Sequence, residues 1–205
     1  AATEAVRETE GQILCQNGEA VEAYYFSTSA GVTSTDEIWG SDEAAPYLRS
    51  VPCKFDEEEP WSSWIVELPW KMLEDRIREK GEGTVLRSVT VTRRSESGAA
   101  TALEAVSDKD SCIIENEYEI RKFLAPVNCM ITEKDGTETA GGSLLPSAYF
   151  ELERTQNGNL QVRGKGYGHG VGMSQTGADK MAEQGYDYRE ILDYFFRNIT
   201  VENLG

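Results

Sequence analysis

The chain has 205 residues, enough for one sizeable core or two small ones, and its 39% hydrophobic and 27% charged residues are the composition of a globular protein, which excludes a disordered chain. Its formal charge of −16 repels polyanions, so nucleic acid is not an expected partner; an acidic polymer would have to be held by stacking and hydrogen bonds, not by long-range attraction. No apolar run approaches the length of a membrane span and no signal peptide opens the chain. The first residues read as the middle of a helix, so the natural chain is expected to begin upstream.

In chain order, residues 2–10 predict a short helix stopped by Gly11. Residues 12–16 and 19–28 predict a hairpin around Asn17-Gly18, a pair suited to a type I′ turn because both central residues need positive φ. The small, hydroxyl-rich stretch from Ser27 to Thr35 reads as a loop and a candidate glycan-binding edge. Residues 46–51 read as a short extended segment, and residues 60–64 as a loop carrying Trp61 and Trp64. Trp70 to Lys80 is amphipathic between Pro69 and Gly81 and predicts a helix. Val85 to Arg93 alternates as a half-buried strand does, with Ala100 to Val106 as its expected neighbour. A helix is expected over 117–124, halted before Pro126. Cys129 to Glu133 is expected to pair with residues beyond Asp135-Gly136. A second hairpin is expected over 149–153 and 160–163, around Asn157-Gly158. Two helices, 176–184 and 188–196, close the chain. This interleaving predicts a single α+β domain over residues 1–205, with largely antiparallel sheet, hairpins, and helices at the C-terminal end.

The sharpest feature lies between the last predicted strand and these helices: glycine occupies 164, 166, 168, 170 and 172. Such an arrangement is entropically costly and suits a flat loop on which a ligand sits. It is neither a Walker A motif nor a dinucleotide fingerprint, because the strict alternation never produces either spacing. Backbone N–H groups near Met173 and Ser174 would point outward at a helix N-terminus as donors. His169, the sole histidine, sits among these glycines and is expected to reach into a cleft. Ser174 suits an N-cap better than a nucleophile, and no Gly-x-Ser-x-Gly motif is present.

Four cysteines, at 15, 53, 112 and 129, form no CxxC pair. They read either as one or two disulfides of an exported protein or as buried thiols. A zinc site from Cys15, Cys53 and His169 is a secondary expectation, without the usual ligand spacing.

The run Gly166-Tyr-Gly-His-Gly-Val-Gly-Met-Ser-Gln175, followed by Gly177-Ala178, Met181-Ala182, Gly185, Tyr188 and Ile191-Leu192, resembles the C-terminal signature of the SpoIID/LytB (stage II sporulation protein D) family. Thr9-Glu-Gly11, Asn17-Gly18, Phe26-Ser-Thr-Ser29, Trp39 and Pro46-Tyr-Leu-Arg-Ser-Val51 agree in order, as do Tyr118-Glu-Ile-Arg121 and Ser143-Leu-Leu-Pro-Ser147. The resemblance runs from residue 3 to about residue 200. It implies a peptidoglycan lytic transglycosylase acting on glycan strands stripped of stem peptides, with other sporulation or cell-wall proteins as partners. It also implies an extracytoplasmic location, anchored through an upstream segment; some members of the family are associated with zinc, but no ligand pattern here matches well enough to carry that over, and no cofactor is expected.

Such an enzyme protonates the glycosidic oxygen while the sugar's own C6 hydroxyl closes a 1,6-anhydro ring. The resemblance places His169, Tyr167, Ser174 and Gln175 at the reacting part of the cleft, and Ser27, Thr28, Ser29, Glu37, Trp39, Gly168 and Gly170 at the substrate. The family's general acid is a glutamate in a helix reading Glu-Ala-Leu-Lys-Ala-Gln-Ala. That run does not occur here, so the acid is expected upstream; Glu37 is the nearest candidate on this chain, against a plain reading as a solvated carboxylate. A catalytically silent glycan-binding module is the alternative. Thr176 stands where the family often has tyrosine.

Overall fold

A computed structural model describes residues 2–204. The elements are α1 (Ala2–Glu8), β1 (Gln12–Gln16), β2 (Glu19–Ala20), β3 (Tyr25–Phe26), two 3-10 turns (Asp36–Trp39 and Pro60–Ser62), β4 (Trp64–Leu68), α2 (Trp70–Glu79), β5 (Leu86–Arg94), β6 (Ala100–Ser107) and β7 (Ser111–Glu115). They continue with α3 (Glu117–Phe123), β8 (Met130–Glu133), β9 (Glu138–Ala140), β10 (Phe150–Arg154), β11 (Leu160–Gly164), β12 (Met173–Ser174), α4 (Gln175–Glu183), α5 (Tyr188–Phe195) and β13 (Thr200–Asn203). The fold is α+β, with sheets that are antiparallel apart from one short parallel pair.

Local chemistry accounts for most of these boundaries. Asn17 and Gly18 both take positive φ (53° and 81°), as the type I′ turn between β1 and β2 requires. The Asn157-Gly158 turn differs from expectation: only Gly158 is left-handed, and Thr155 closes the loop by accepting from the N–H of Gly158. Pro69 precedes α2, whose Leu73 and Ile77 lie one turn apart on the buried face. Asn116 caps α3 by accepting from the Glu119 N–H, and Asp187 with Glu190 forms a capping box on α5.

Two further expectations are corrected, and one strand is new. The second arm of the first hairpin ends at Ala20, and Tyr25–Phe26 instead runs parallel to Met173–Ser174, 148 residues along the chain. Pro46-Tyr47 forms a turn rather than an extended segment, with Leu48 bridging Phe196. The strand β7, unforeseen, completes the meander β5-β6-β7.

Burial divides into two clusters. One gathers Trp64, Leu68, Leu73, Ile77, Leu103, Ile120, Leu124 and Val162 beneath the sheet β10-β11-β4-β8-β9 and the meander. The other gathers Ile38, Cys53, Val171, Met181, Phe195 and Phe196 under α4 and α5. The glycine-rich segment leaves the first cluster at Gly164 and enters the second at Val171, which places His169 where the two meet.

Candidate functional site

The glycines of this segment serve close packing against the chain itself. A Cβ on Gly168 would lie 2.7 Å from the Phe26 Cβ, and one on Gly170 2.8 Å from the Tyr149 hydroxyl. At Gly166 the obstacle is the backbone of residues 28–30, and at Gly164 the ring of Trp64. The faces freed by missing side chains are therefore filled by protein. The expectation that Gly168 and Gly170 lie open for a sugar is corrected accordingly.

Threading the segment this tightly occupies its polar groups. Thr28 and Tyr167 exchange backbone hydrogen bonds (3.1 and 2.8 Å), Gly168 N–H donates to Pro146, and Ser34 N–H donates to Gly170. The N–H of Met173 donates to Tyr24 and that of Thr176 to Ser27, while Ser174 caps α4 by accepting from Gly177. The Met173 N–H, expected to point outward as a donor, is thus taken up by the parallel β3–β12 pairing.

The hydroxyl-rich loop is also turned inward. Asp56, 1% exposed, accepts from Ser29 N–H (2.8 Å) and Oγ (2.6 Å), from Ser174 Oγ (2.7 Å) and from Thr176 Oγ1 (3.3 Å). Thr28 and Ser29 are 2% and 1% exposed, so their side chains hold this hub and do not meet solvent; only Ser27 stays half-buried. Ser174, fully buried, has its hydroxyl committed to the cap and to Asp56, which removes it as a nucleophile. Thr176 joins the same hub, so its departure from tyrosine is absorbed by the interior. Gln175 is exposed at the start of α4. Cys53, in contact with Asp56, is pushed up to about 12, first by burial and then by that carboxylate.

His169 is half-buried. Its ring packs edge-on to Trp39 at 5.2 Å and tilted on Phe26 at 5.9 Å, and Trp39 in turn meets Tyr24 at 5.1 Å. The N–H of Val171 donates to Nδ1 at 3.0 Å, so the proton of the neutral imidazole resides on Nε2. Burial holds the imidazole below its ordinary value; Glu117 and the Tyr25 backbone oppose this and Arg121 reinforces it. A neutral ring with Nδ1 occupied is a hydrogen-bond donor from Nε2, not a base.

Beneath it, Glu117 (1% exposed) and Arg121 pair at 2.6 Å on successive turns of α3, and Arg121 also donates to the carbonyls of Leu145 and Pro146. The i,i+4 spacing of this pair was visible in the sequence, but its burial was not. Asp56 was hidden inside the acidic run 56–59, which reads as a solvated face.

Two surface depressions include residues of this centre, Trp39 in one and Arg121 in the other. One of about 690 Å³ is lined by Glu37, Trp39, Asp42, Arg93, Arg94 and Asn116. In it Glu37 is exposed and accepts from Thr35 at 2.7 Å, and Trp39 is half-buried. The other, about 420 Å³, contains Trp61, Tyr167, Arg121, Thr139, Ser143 and Pro146. Tyr167 is 42% exposed and meets Trp61 edge-on at 4.7 Å. The structure thus brings His169, Trp39 and Phe26 together, with Tyr167 on the far depression, and withdraws Thr28, Ser29 and Ser174 into the interior.

All four cysteines are free thiols. Cys15, Cys53 and His169 do not assemble; among the described residues no group of three or more His, Cys, Asp or Glu side chains is placed to hold a metal ion. The secondary expectation of zinc is corrected: Cys53 instead lies in the interior against Asp56. Among the described residues no helix is long and apolar enough to cross a membrane.

Comparison with known proteins decides the family. A family model described as a domain of unknown function (DUF8618) matches residues 49–172. Stage II sporulation protein D of Bacillus amyloliquefaciens is 31% identical over 97% of this chain and 50% of its own length; that of Bacillus subtilis (strain 168) is 30% identical with the same coverage. The amidase enhancer of Bacillus subtilis (strain 168) is 23% identical over 96% of this chain and 32% of its own length. The chain belongs to the SpoIID/LytB family. This SpoIID/LytB chain spans about half the length of the two sporulation relatives. The signature that marks the family, residues 166–175, is the segment whose glycines thread between the two cores.

Proposed function

We propose that this chain carries a glycan-cleaving site of the bacterial cell wall, acting by lytic transglycosylation during sporulation or wall remodelling. Its named relatives support the setting: two are called stage II sporulation protein D and one amidase enhancer. The observation that carries the reading is His169, a neutral imidazole with Nδ1 tied to Val171 and its ring packed on Trp39; Trp39, and not the imidazole itself, is among the residues lining the depression of about 690 Å³.

In the proposed reaction the bond between C1 and the bridging oxygen breaks and the C6 oxygen bonds to C1. One proton leaves the C6 hydroxyl and one reaches the departing oxygen, so no water is consumed. In this reading the Nε2–H of His169, kept in that tautomer by Val171 and directed towards the Tyr25 backbone in the free protein, turns to a sugar oxygen when a strand binds. Trp39 offers an aromatic face to a sugar. The proton donor is a carboxylic acid from a segment outside residues 1–205. The location that goes with this reading is the cell wall, outside the cytoplasm, with other wall proteins as partners.

The test is incubation of the full-length protein with peptide-free glycan strands. Fragments ending in 1,6-anhydro sugars are expected, with a drop of roughly 100-fold for His169→Ala and a smaller one for His169→Gln, which keeps a donor. Unchanged turnover in His169→Ala would remove the histidine from the mechanism.

A second reading, a glycan-binding module without catalysis, is favoured by the occupation of the local carboxylates. Glu117 is paired with Arg121, and Glu37 accepts from Thr35 at the surface. Binding of glycan strands with no new chain ends would decide for it.

A further inference from the structure

The direction of the His169 side chain is not set by its neighbours in the chain. Gly168 and Gly170 flank it, both at positive φ (113° and 86°), and a glycine restrains its own backbone less than any other residue. Contacts from elsewhere must therefore fix the backbone on either side. Downstream the hold is local: the Val171 N–H donates to Nδ1, and the Gly170 carbonyl accepts from the Ser34 N–H at 2.6 Å. Upstream the hold comes from α3. The Gly168 N–H donates to the Pro146 carbonyl at 2.8 Å, and the same carbonyl accepts from Arg121 Nη2 at 3.2 Å in the interior.

Arg121 is itself held on several sides. Its Nε donates to the Leu145 carbonyl at 2.9 Å, its Nη1 donates to Glu117 at 2.6 Å, and its backbone carbonyl accepts from the Leu145 N–H at 3.0 Å. One arginine thus grips both residue 145 and residue 146. The residues that follow pass the hold on to the signature: the Ser147 hydroxyl donates to the Lys165 carbonyl (2.6 Å), and the Lys165 N–H donates to the Tyr149 carbonyl (2.9 Å). A planar guanidinium reaches three acceptors lying in different directions at once, whereas the compact ammonium of a lysine keeps the charge but not this reach. Glu117, 1% exposed, fixes one end of the fork and compensates the buried cation.

We infer that Arg121 is a positioning residue for His169: through the Pro146 carbonyl it fixes the Gly168 end of the signature, and Glu117 keeps its guanidinium in place. The inference rests on the cleavage reading proposed above, in which the imidazole leaves the Tyr25 backbone to meet a sugar. Once that contact is given up, the direction of the ring depends on Val171 and on the anchored backbone at Gly168. An unheld Gly168 lets the imidazole swing, and a misplacement of about 1 Å at a reacting centre costs up to roughly 100-fold in rate.

The experiment compares the full-length protein with two variants. Arg121→Lys keeps the charge beside Glu117 and gives up the fork. Glu117→Leu combined with Arg121→Met removes the pair as a unit and leaves no bare charge inside, so it retains the fold better than a single truncation. With one histidine in the chain, the imidazole C–H resonances have a single assignment. In wild type the rings of Trp39 and Phe26 should displace them from free-histidine positions. In both variants, at about pH 8 where the ring is neutral, they should move towards those positions, and the Gly168 amide should exchange with solvent roughly 10-fold faster. Release of 1,6-anhydro ends from peptide-free strands should fall roughly 10-fold in kcat, with KM within about two-fold of wild type. A purely structural role would instead follow the urea midpoint, so the double variant would regain wild-type spectra and turnover along with its stability. Either readout, spectra or kcat, left at its wild-type value in a folded variant overturns the inference. Absence of 1,6-anhydro product from wild type overturns the cleavage reading itself, and the spectra with the Gly168 exchange then decide the positioning alone.

Discussion

Ser174 and Asp56, 118 residues apart in the chain, meet through a 2.7 Å hydrogen bond in the interior. That contact ties the start of α4 to the loop at 27–35, because the same carboxylate holds both the N–H and the hydroxyl of Ser29. Asp56→Ala would strand several buried donors at once. Each unsatisfied one costs about 1–3 kcal/mol, so a loss of at least about 3 kcal/mol is expected in urea unfolding. Asp56→Asn, which keeps the shape and one acceptor oxygen, should lose less. A loss below about 1 kcal/mol in Asp56→Ala would show that the hub is not structural.

Arg121 is expected to behave as half of a buried pair. Its removal in Arg121→Ala leaves Glu117 charged in the interior and the carbonyls of Leu145 and Pro146 without their donor. A destabilisation of about 3–5 kcal/mol should follow. Adding Glu117→Leu to an Arg121→Met background should recover part of it, because no bare charge remains. An additive double mutant would argue against direct coupling.

His169 titrates in a window of its own. Burial depresses its folded value below the unfolded value of about 6.5. As pH falls through that value the unfolded chain takes up a proton that the folded chain still refuses, so stability is full above about pH 6.5 and is lost on acidification towards the folded value. Asp108, held low chiefly by the backbone N–H groups of Val85 and Thr84, loses its contribution only in much stronger acid. With a single histidine in the chain, NMR should show one imidazole titrating below 6.5, and His169→Asn should flatten the stability profile between pH 5 and 7 (an approximate window set by the reference value). A folded value above 6.5 would contradict the burial and the Val171 bond together.

Gly172→Ala tests the threading of the signature. Its φ is +78°, and a Cβ there would stand 2.2 Å from the Tyr24 carbonyl oxygen, against backbone that cannot move aside cheaply. The left-handed penalty alone is about 1–2 kcal/mol, and the clash adds to it. Gly142→Ala, where a Cβ meets nothing within 4 Å, should stay within about 0.5 kcal/mol of wild type. Similar urea midpoints for the two variants would remove the packing role of Gly172.

Much of the fold was legible one element at a time. Pro69 and Gly81 bracketed α2, Asn17-Gly18 specified its turn, and period-two alternation marked β5, because each of these signals acts between neighbours in the chain. The signature at 166–175 likewise marked the family and the surroundings of its one histidine. What only the tertiary structure decided is which groups face inward. Asp56 gave no signal of its own, Ser29 read as part of a glycan-binding edge, and the glycines read as a flat surface for a ligand, yet packing turns all of them into the interior, in part through segments more than a hundred residues away. Burial is a property of what packs over a residue from elsewhere. Local residue type sets what a group can do, and distant packing sets whether water or a ligand ever meets it.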